Sequence, residues 1–204
     1  MAYILGFICA DGSLEDASYL RGKYLRIYNT DYYIINEIKH RLGSEHKIVP
    51  SSPKGKRKVL YMLRIGSHEI FQDLSRLNIH PNKSLNMEIP IIPEKYFNSF
   101  LRGYFDGDGC IYIEKQKNNL KIIFTSGSKS FLDDLSELIS NYFSINPHRV
   151  FNSHRSYQLK YCQKDSLKIF RYIYKNTENG LYLTRKRDKY QNFLKQHWPR
   201  TQVV

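Results

Sequence analysis

Apolar residues along the chain follow first a helical and then an alternating spacing, and the sequence of patterns occurs twice. The stretch YILGFICADG, residues 3–12, sets Ile4, Leu5, Phe7 and Ile8 at helical spacing and ends in Asp-Gly. Residues 100–109, FLRGYFDGDG, do the same with Phe100, Leu101, Tyr104 and Phe105, with a glycine in the corresponding earlier place. From Asp11 to Asp108 the offset is 108 − 11 = 97 residues. Under that offset Leu25 and Ile27 fall on Ile122 and Phe124, inside KYLRIY and LKIIFT, whose alternation predicts half-buried strands. Ile34 and Ile38 fall on Phe131 and Leu135, within DYYIINEIKHRL and SKSFLDDLSELI, which have a helical period. YMLRI at 61–65 matches YQLKY at 157–161 with a one-residue slip, and each precedes a further helical pattern, SHEIFQDLSRL or KDSLKIFRYIY.

Each copy therefore predicts helix, two strands, helix, two strands, helix, an α+β duplication of αββαββα units with the Asp-Gly motif on the first helix. The joint lies in HPNKSLNMEIPIIPEKY, where Pro81, Pro90 and Pro93 interrupt helix and strand alike. The expected units are residues 1–93 and 94–204. An apolar N-terminus followed by small residues could pass for a secretory signal, but it lacks the basic start, and its recurrence in mid-chain makes it part of the fold.

Two glycines in the motifs carry information. Gly6 and Gly103 sit inside helical patterns, where glycine costs about 1 kcal/mol relative to alanine, so another backbone is expected to press against each. The natural partner is the other motif helix. Gly12 and Gly109 then stand where a helix-terminating glycine belongs. Asp11 and Asp108 arrive at the C-terminal ends of two adjacent helices, a poor place for carboxylates: each meets the negative end of a helix dipole and a like charge across the interface. A divalent cation reverses both penalties. With carbonyl oxygens of Ala10 and Gly107 in the last turns, the donor set is all oxygen and suits Mg²⁺. A capping turn explains a single Asp-Gly equally well, but not two in register with a whole repeat. A calcium loop in DGDGCIYIE is excluded by spacing, because the position that requires glycine is Ile111.

Composition narrows the partner. The formal net charge is +13, from 32 Lys and Arg against 19 Asp and Glu. Such a surplus favours a polyanion, and no run approaches the roughly 18 apolar residues of a membrane helix, which leaves nucleic acid ahead of a membrane. Residues 1–98 carry a net +4 and residues 99–204 a net +9, so both copies are expected to face the same partner. Cys9, Cys110 and Cys162 are odd in number and lack CxxC spacing, which predicts a reducing compartment, cytoplasm or organellar matrix, and buried thiols. The seven histidines form no zinc or nuclease spacing and receive no role.

LRGYFDGDG, with its weaker copy ILGFICADG, resembles the LAGLIDADG homing endonucleases in their single-chain, two-motif form, and the resemblance spans essentially the whole chain. It implies motif helices at the interface of pseudo-twofold halves, with antiparallel sheets forming a saddle on DNA. It also implies Asp11 and Asp108 as ligands of the catalytic metal, and Mg²⁺-dependent cleavage of both strands across the minor groove with short 3′ overhangs. Cys9 departs from the family in a place where an acid is common and where Asp106 stands in the second copy; that position is usually structural. The resemblance further implies a lysine near each metal centre, Lys83 in NKSLNMEIP and Lys186 in YLTRKRDKY, to polarise the attacking water or stabilise charge on the phosphate.

The DNA face is expected on basic, aromatic strands: Lys23, Arg26, Arg64 and the hairpin residues Lys54, Lys56, Arg57 and Lys58 in the first half, and Lys115, Lys117, Lys121, Arg155 and Lys160 in the second. These residue types hold phosphates and read guanine edges. The expected molecule is a monomer on a double-stranded DNA site. Its rivals are a non-cleaving DNA-binding regulator on the same scaffold and a maturase whose partner is intron RNA; keeping both Asp11 and Asp108 favours the enzyme. Neither terminus carries a splicing cysteine or a His-Asn ending, which argues against an intact intein.

Overall fold

The computed structural model describes residues 1–17, 22–52, 55, 58–114, 116–175, 177 and 180–197. Its first half runs α1 (Ala2–Asp11), β1 (Gly12–Ala17), β2 (Gly22–Asn29), α2 (Tyr32–Arg41), β3 (Ile48–Pro50), β4 (Tyr61–Gly66) and α3 (His68–Arg76). The second repeats the order as α4 (Phe97–Asp108), β5 (Gly109–Glu114), β6 (Asn119–Ser126), α5 (Lys129–Phe143), β7 (Val150–Ser153), β8 (Ser156–Lys160) and α6 (Gln163–Ile173), and adds α7 (Thr184–His197). The offset of 97 carries β1 onto β5 and β2 onto β6 residue for residue. It also carries the N-cap of α2, Asp31, onto that of α5, Ser128; each side chain accepts a backbone N–H of the first turn.

Each half builds one four-stranded sheet with every neighbouring pair antiparallel, in the orders β1-β2-β4-β3 and β5-β6-β8-β7. Alternation assigns the faces. Leu25, Ile27, Leu63 and Ile65, or Leu120, Ile122, Phe124 and Leu159, are buried under the helices. Residues between them, Tyr24, Arg26 and Arg64 or Lys121 and Lys160, point to the outer face.

The two motif helices form the spine of the core. Phe7, Phe100, Leu101, Tyr104 and Phe105 are fully buried. A Cβ on Gly6 would fall on the carbonyl of Phe100, and one on Gly103 on that of Tyr3, both far inside contact distance. These two collisions are the same collision moved by 97 residues, which makes the α1–α4 contact pseudo-twofold and gives each glycine its reason. Gly12 and Gly109 have a different one from that expected. Their φ values, −97° and −87°, are extended, so no left-handed cap forms and each helix runs straight into its strand. A side chain at Gly12 would meet the Ile8 carbonyl at 2.6 Å, and at Gly109 it would strike Phe105.

The cysteines also correct an expectation. Cys9 is buried, but Cys110 and Cys162 are exposed. Cys110 takes an outward position in the alternation of β5, and Cys162 precedes α6 with its thiol donating to Asp165 at 3.2 Å. No helix among the described residues is long and apolar enough to cross a membrane.

Candidate functional site

Because α1 and α4 end together, Asp11 and Asp108 meet at the point where both sheets begin. The Asp11 carboxyl carbon lies 3.5 Å from where a side chain on Gly107 would start. Burial pushes the Asp11 pKa up to about 6, and the negative charge of Asp108 adds to the rise. The Asn29 amide, donating to Asp11 Oδ2 at 2.8 Å, and the two nearby lysines only partly oppose it. Burial likewise raises Asp108 above the usual carboxylate range, against Lys83 and Lys186. Both carboxylates are thus held in a place that penalises their charge, as the sequence predicts, and each keeps partial exposure.

Lys83 and Lys186 are buried beside them and have unequal surroundings. Lys83 Nζ donates to the Cys9 carbonyl at 2.6 Å, at the end of α1. Lys186 Nζ donates to three carbonyls at the end of α4: Phe105 at 2.6 Å, Asp106 at 2.8 Å and Gly109 at 2.6 Å. Each ammonium therefore satisfies helix-terminal oxygens and opposes the dipole there. Burial lowers both pKa values, that of Lys186 to about 8 in spite of Asp106. Lys186 has three N–H groups and three backbone partners, so it acts as a clamp with a fixed charge.

Among the described residues, the second half carries a buried polar network that the first lacks. Asp106 Oδ2 accepts from the Tyr3 hydroxyl and from Leu183 N, both at 2.8 Å. Burial raises its pKa to about 6 against Lys186 and those two bonds. Arg102 donates to the carbonyls of Leu181 at 2.8 Å and Ile173 at 2.5 Å. The offset puts Leu5 and Cys9 at these positions in the first copy, and the Cys9 thiol is kept neutral by burial, its pKa at about 12 in spite of Lys83. Asn29 shapes the site from outside either motif, and the offset sets a different residue, Ser126, in its place, whereas Arg102 and Asp106 lie within the second motif, whose sequence does not announce their distant partners.

A profile of the LAGLIDADG-like domain matches residues 1–78 and 96–197. The chain belongs to the LAGLIDADG family. Among its relatives, a probable translation initiation factor IF-2 of Methanocaldococcus jannaschii is 29% identical over 211 residues, covering 92% of this chain and 16% of that protein. A reverse gyrase of the same organism is 27% identical over 173 residues, covering 83% of this chain and 10% of that protein. The chain thus spans only a small part of these relatives. In solved structures the LAGLIDADG fold recurs in the homing endonuclease I-WcaI bound to its DNA recognition sequence, with a TM-score of 0.63, 14% identity, and 89% of this chain and 85% of that one covered. The LAGLIDADG meganuclease I-AabMI, bound to uncleaved DNA, gives 0.58 at 17% identity, with coverage of 95% and 88%. Full-length DUF199/WhiA from Thermatoga maritima gives 0.59 at 17% identity, with coverage of 100% and 60%.

Among the described residues no three His, Cys, Asp or Glu side chains gather as a metal group. The LAGLIDADG motifs offer instead two carboxylates and the helix-end carbonyls. The basic residues expected on the DNA face divide. Arg26, Arg64, Lys121 and Lys160 point outward from the sheets, and Lys58, Lys117 and Arg155 lie in or beside the turns. Lys23 instead turns to the helix side, over the Phe71 ring at 4.6 Å and paired with Asp16. Lys54, Lys56, Arg57 and Lys115 lie outside the described residues.

Proposed function

We propose that this chain is a site-specific endonuclease that makes metal-dependent double-strand breaks in DNA. The observation that carries the reading is the Asp11–Asp108 pair, two carboxylates at the junction of the two sheets whose charge is disfavoured by burial, and at Asp11 also by the charge of Asp108. A protein that only binds DNA gains nothing from such a pair, whereas hard cations neutralise it. Asp11, Asp108 and the carbonyls of Ala10 and Gly107 would hold Mg²⁺. A bound divalent ion lowers the pKa of water and stabilises charge developing on the scissile phosphate.

The chain's own groups do the rest. Asn29 orients Asp11 through its 2.8 Å bond. Lys83, whose one hydrogen-bond partner among the described residues is the Cys9 carbonyl, is the lysine suited to direct an N–H at a water or phosphate oxygen. Lys186 supplies a stationary positive charge and holds the end of α4. With one carboxylate per half and both halves in one chain, a monomer addresses the two strands of a duplex. The same unit aligns within an initiation factor and a reverse gyrase, names that share no activity, which supports a self-contained module carried inside unrelated coding sequences.

The test is incubation with a randomised duplex library and Mg²⁺. Recovered double-strand ends that vanish with Asp108→Asn support the nuclease. Selective binding without ends, in Mg²⁺ and Mn²⁺ alike, replaces it with a non-cleaving DNA-binding regulator, and preference for a folded intron RNA over duplex replaces it with a maturase.

A further inference from the structure

The outer face of the first sheet contains an acid where a DNA-binding surface should have none. Glu15 on β1 lies between two arginines on the next strands: its Oε2 accepts from Arg26 Nη2, and from Arg64 through Nη2 at 3.0 Å and Nε at 3.1 Å. Arg26 and Arg64 face each other across the β2–β4 ladder. Arg64 is also stacked on Tyr24, its guanidinium carbon 3.5 Å from the ring centroid. With its side fork on Glu15 and one face on Tyr24, Arg64 keeps its end-on fork, Nη1 with the second Nη2 hydrogen, for a ligand above the sheet. Both arginines remain partly exposed, with side chains 32% and 39% accessible.

The second sheet has Tyr112 at the position of Glu15, and its outward acid, Glu114, stands two residues further along β5 in different surroundings. Glu114 pairs with Lys121 at 2.9 Å and Lys117 at 3.8 Å. Lysine ammonium groups are point charges without a planar fork, so they hold phosphates but do not match the two acceptors of a guanine edge as arginine does. A carboxylate on a polyanion-binding face opposes binding, and an isolated surface ion pair contributes little. What Glu15 can add is geometry: it removes rotamer freedom from two arginines before DNA arrives.

We propose that Glu15 is a positioning residue for target specificity, fixing Arg26 and Arg64 as a paired fork that reads guanine edges, while the lysines around Glu114 grip the backbone without reading sequence. This rests on the DNA-binding reading above. Glu15 follows Asp11, the last residue of α1, by four residues that enter β1, so the two are at most about 14 Å apart along the chain. The guanines should therefore lie within about four base pairs of the cut, at about 3.4 Å per base step. A pocket lined by Ser13, Glu15, Arg26 and Lys83 leads from Glu15 and Arg26 to Lys83.

Selection of bound sequences from a randomised duplex library, in EDTA so that nothing is cut, tests the idea with the wild type, Glu15→Gln, Arg64→Lys and Glu114→Gln. If the wild type enriches no sequence, the DNA-binding reading itself has failed. If it does, Glu15→Gln and Arg64→Lys should each lose tenfold or more discrimination at guanines near the centre of one half-site, with affinity for unselected DNA kept or raised. Glu114→Gln should tighten binding to all sequences and leave the profile as it was. A Glu15→Gln protein that binds every duplex more tightly with an unaltered profile overturns the proposal, as does an Arg64→Lys profile identical to the wild type.

Discussion

Lys186 shows how one side chain serves both stability and electrostatics at this centre. Its three bonds to the carbonyls of Phe105, Asp106 and Gly109 close the end of α4, whereas Lys83 makes one bond at the end of α1. Lys186→Met should therefore cost about 3 kcal/mol in denaturant unfolding and Lys83→Met about 1 kcal/mol, since buried carbonyls left without donors carry the penalty. Equal losses would contradict the capping role. The carboxylates make the metal-free protein sensitive to pH in a defined direction. Asp11 and Asp106 have folded pKa values of about 6 against an ordinary 3.8, so the folded state holds their protons more tightly than the unfolded chain. Their contribution to stability is fully present below pH 3.8 and is lost as pH rises through 6. Melting of Asp11→Asn in EDTA should show a smaller decline across that window than the wild type, and an equal or steeper one would refute the assignment.

At the scale of elements, the contact between α1 and α4 depends on two missing side chains. Gly103→Ala drives a methyl into the Tyr3 carbonyl, a collision with backbone that no rotamer relieves. It should cost about 3 kcal/mol, and thermal melting can compare it with Gly43→Ala. At Gly43, where φ is +61° and the added carbon meets nothing within 4 Å, the left-handed backbone alone should cost about 1 kcal/mol. A Gly103→Ala protein that melts like the wild type would mean the helices do not pack this way. These glycines were legible beforehand because a helix tolerates glycine poorly and the repeat supplied a partner. The strands were legible for the same reason: two copies of a weak alternation at one offset are stronger than either alone. What the sequence could not disclose was contact between residues far apart in the chain. Nothing in one copy of the pattern announces that Arg102 would reach Leu181 and Ile173, or that Lys186 would cap a helix ending 78 residues earlier at Asp108. Lys23 departs from the expected DNA face because charge says nothing about which face of a strand a side chain takes, and burial of Leu25 and Ile27 puts Lys23 with them.

For the molecule as a whole, the charge of +13 and the outward Arg26, Arg64, Lys121 and Lys160 predict binding that releases counterions. Five or more phosphate contacts should give a slope of about −4.5 or steeper for log affinity against log salt. A slope near zero would remove the sheets as a DNA surface. The proposed division of labour has a further consequence. Arginine forks stand on one arm and lysines on the other, although β1 and β2 repeat as β5 and β6 at a constant shift. A palindromic duplex offers the same text to both arms, so one arm would always be mismatched. The preferred target should read differently from its two ends, and the protein should engage it in a single orientation.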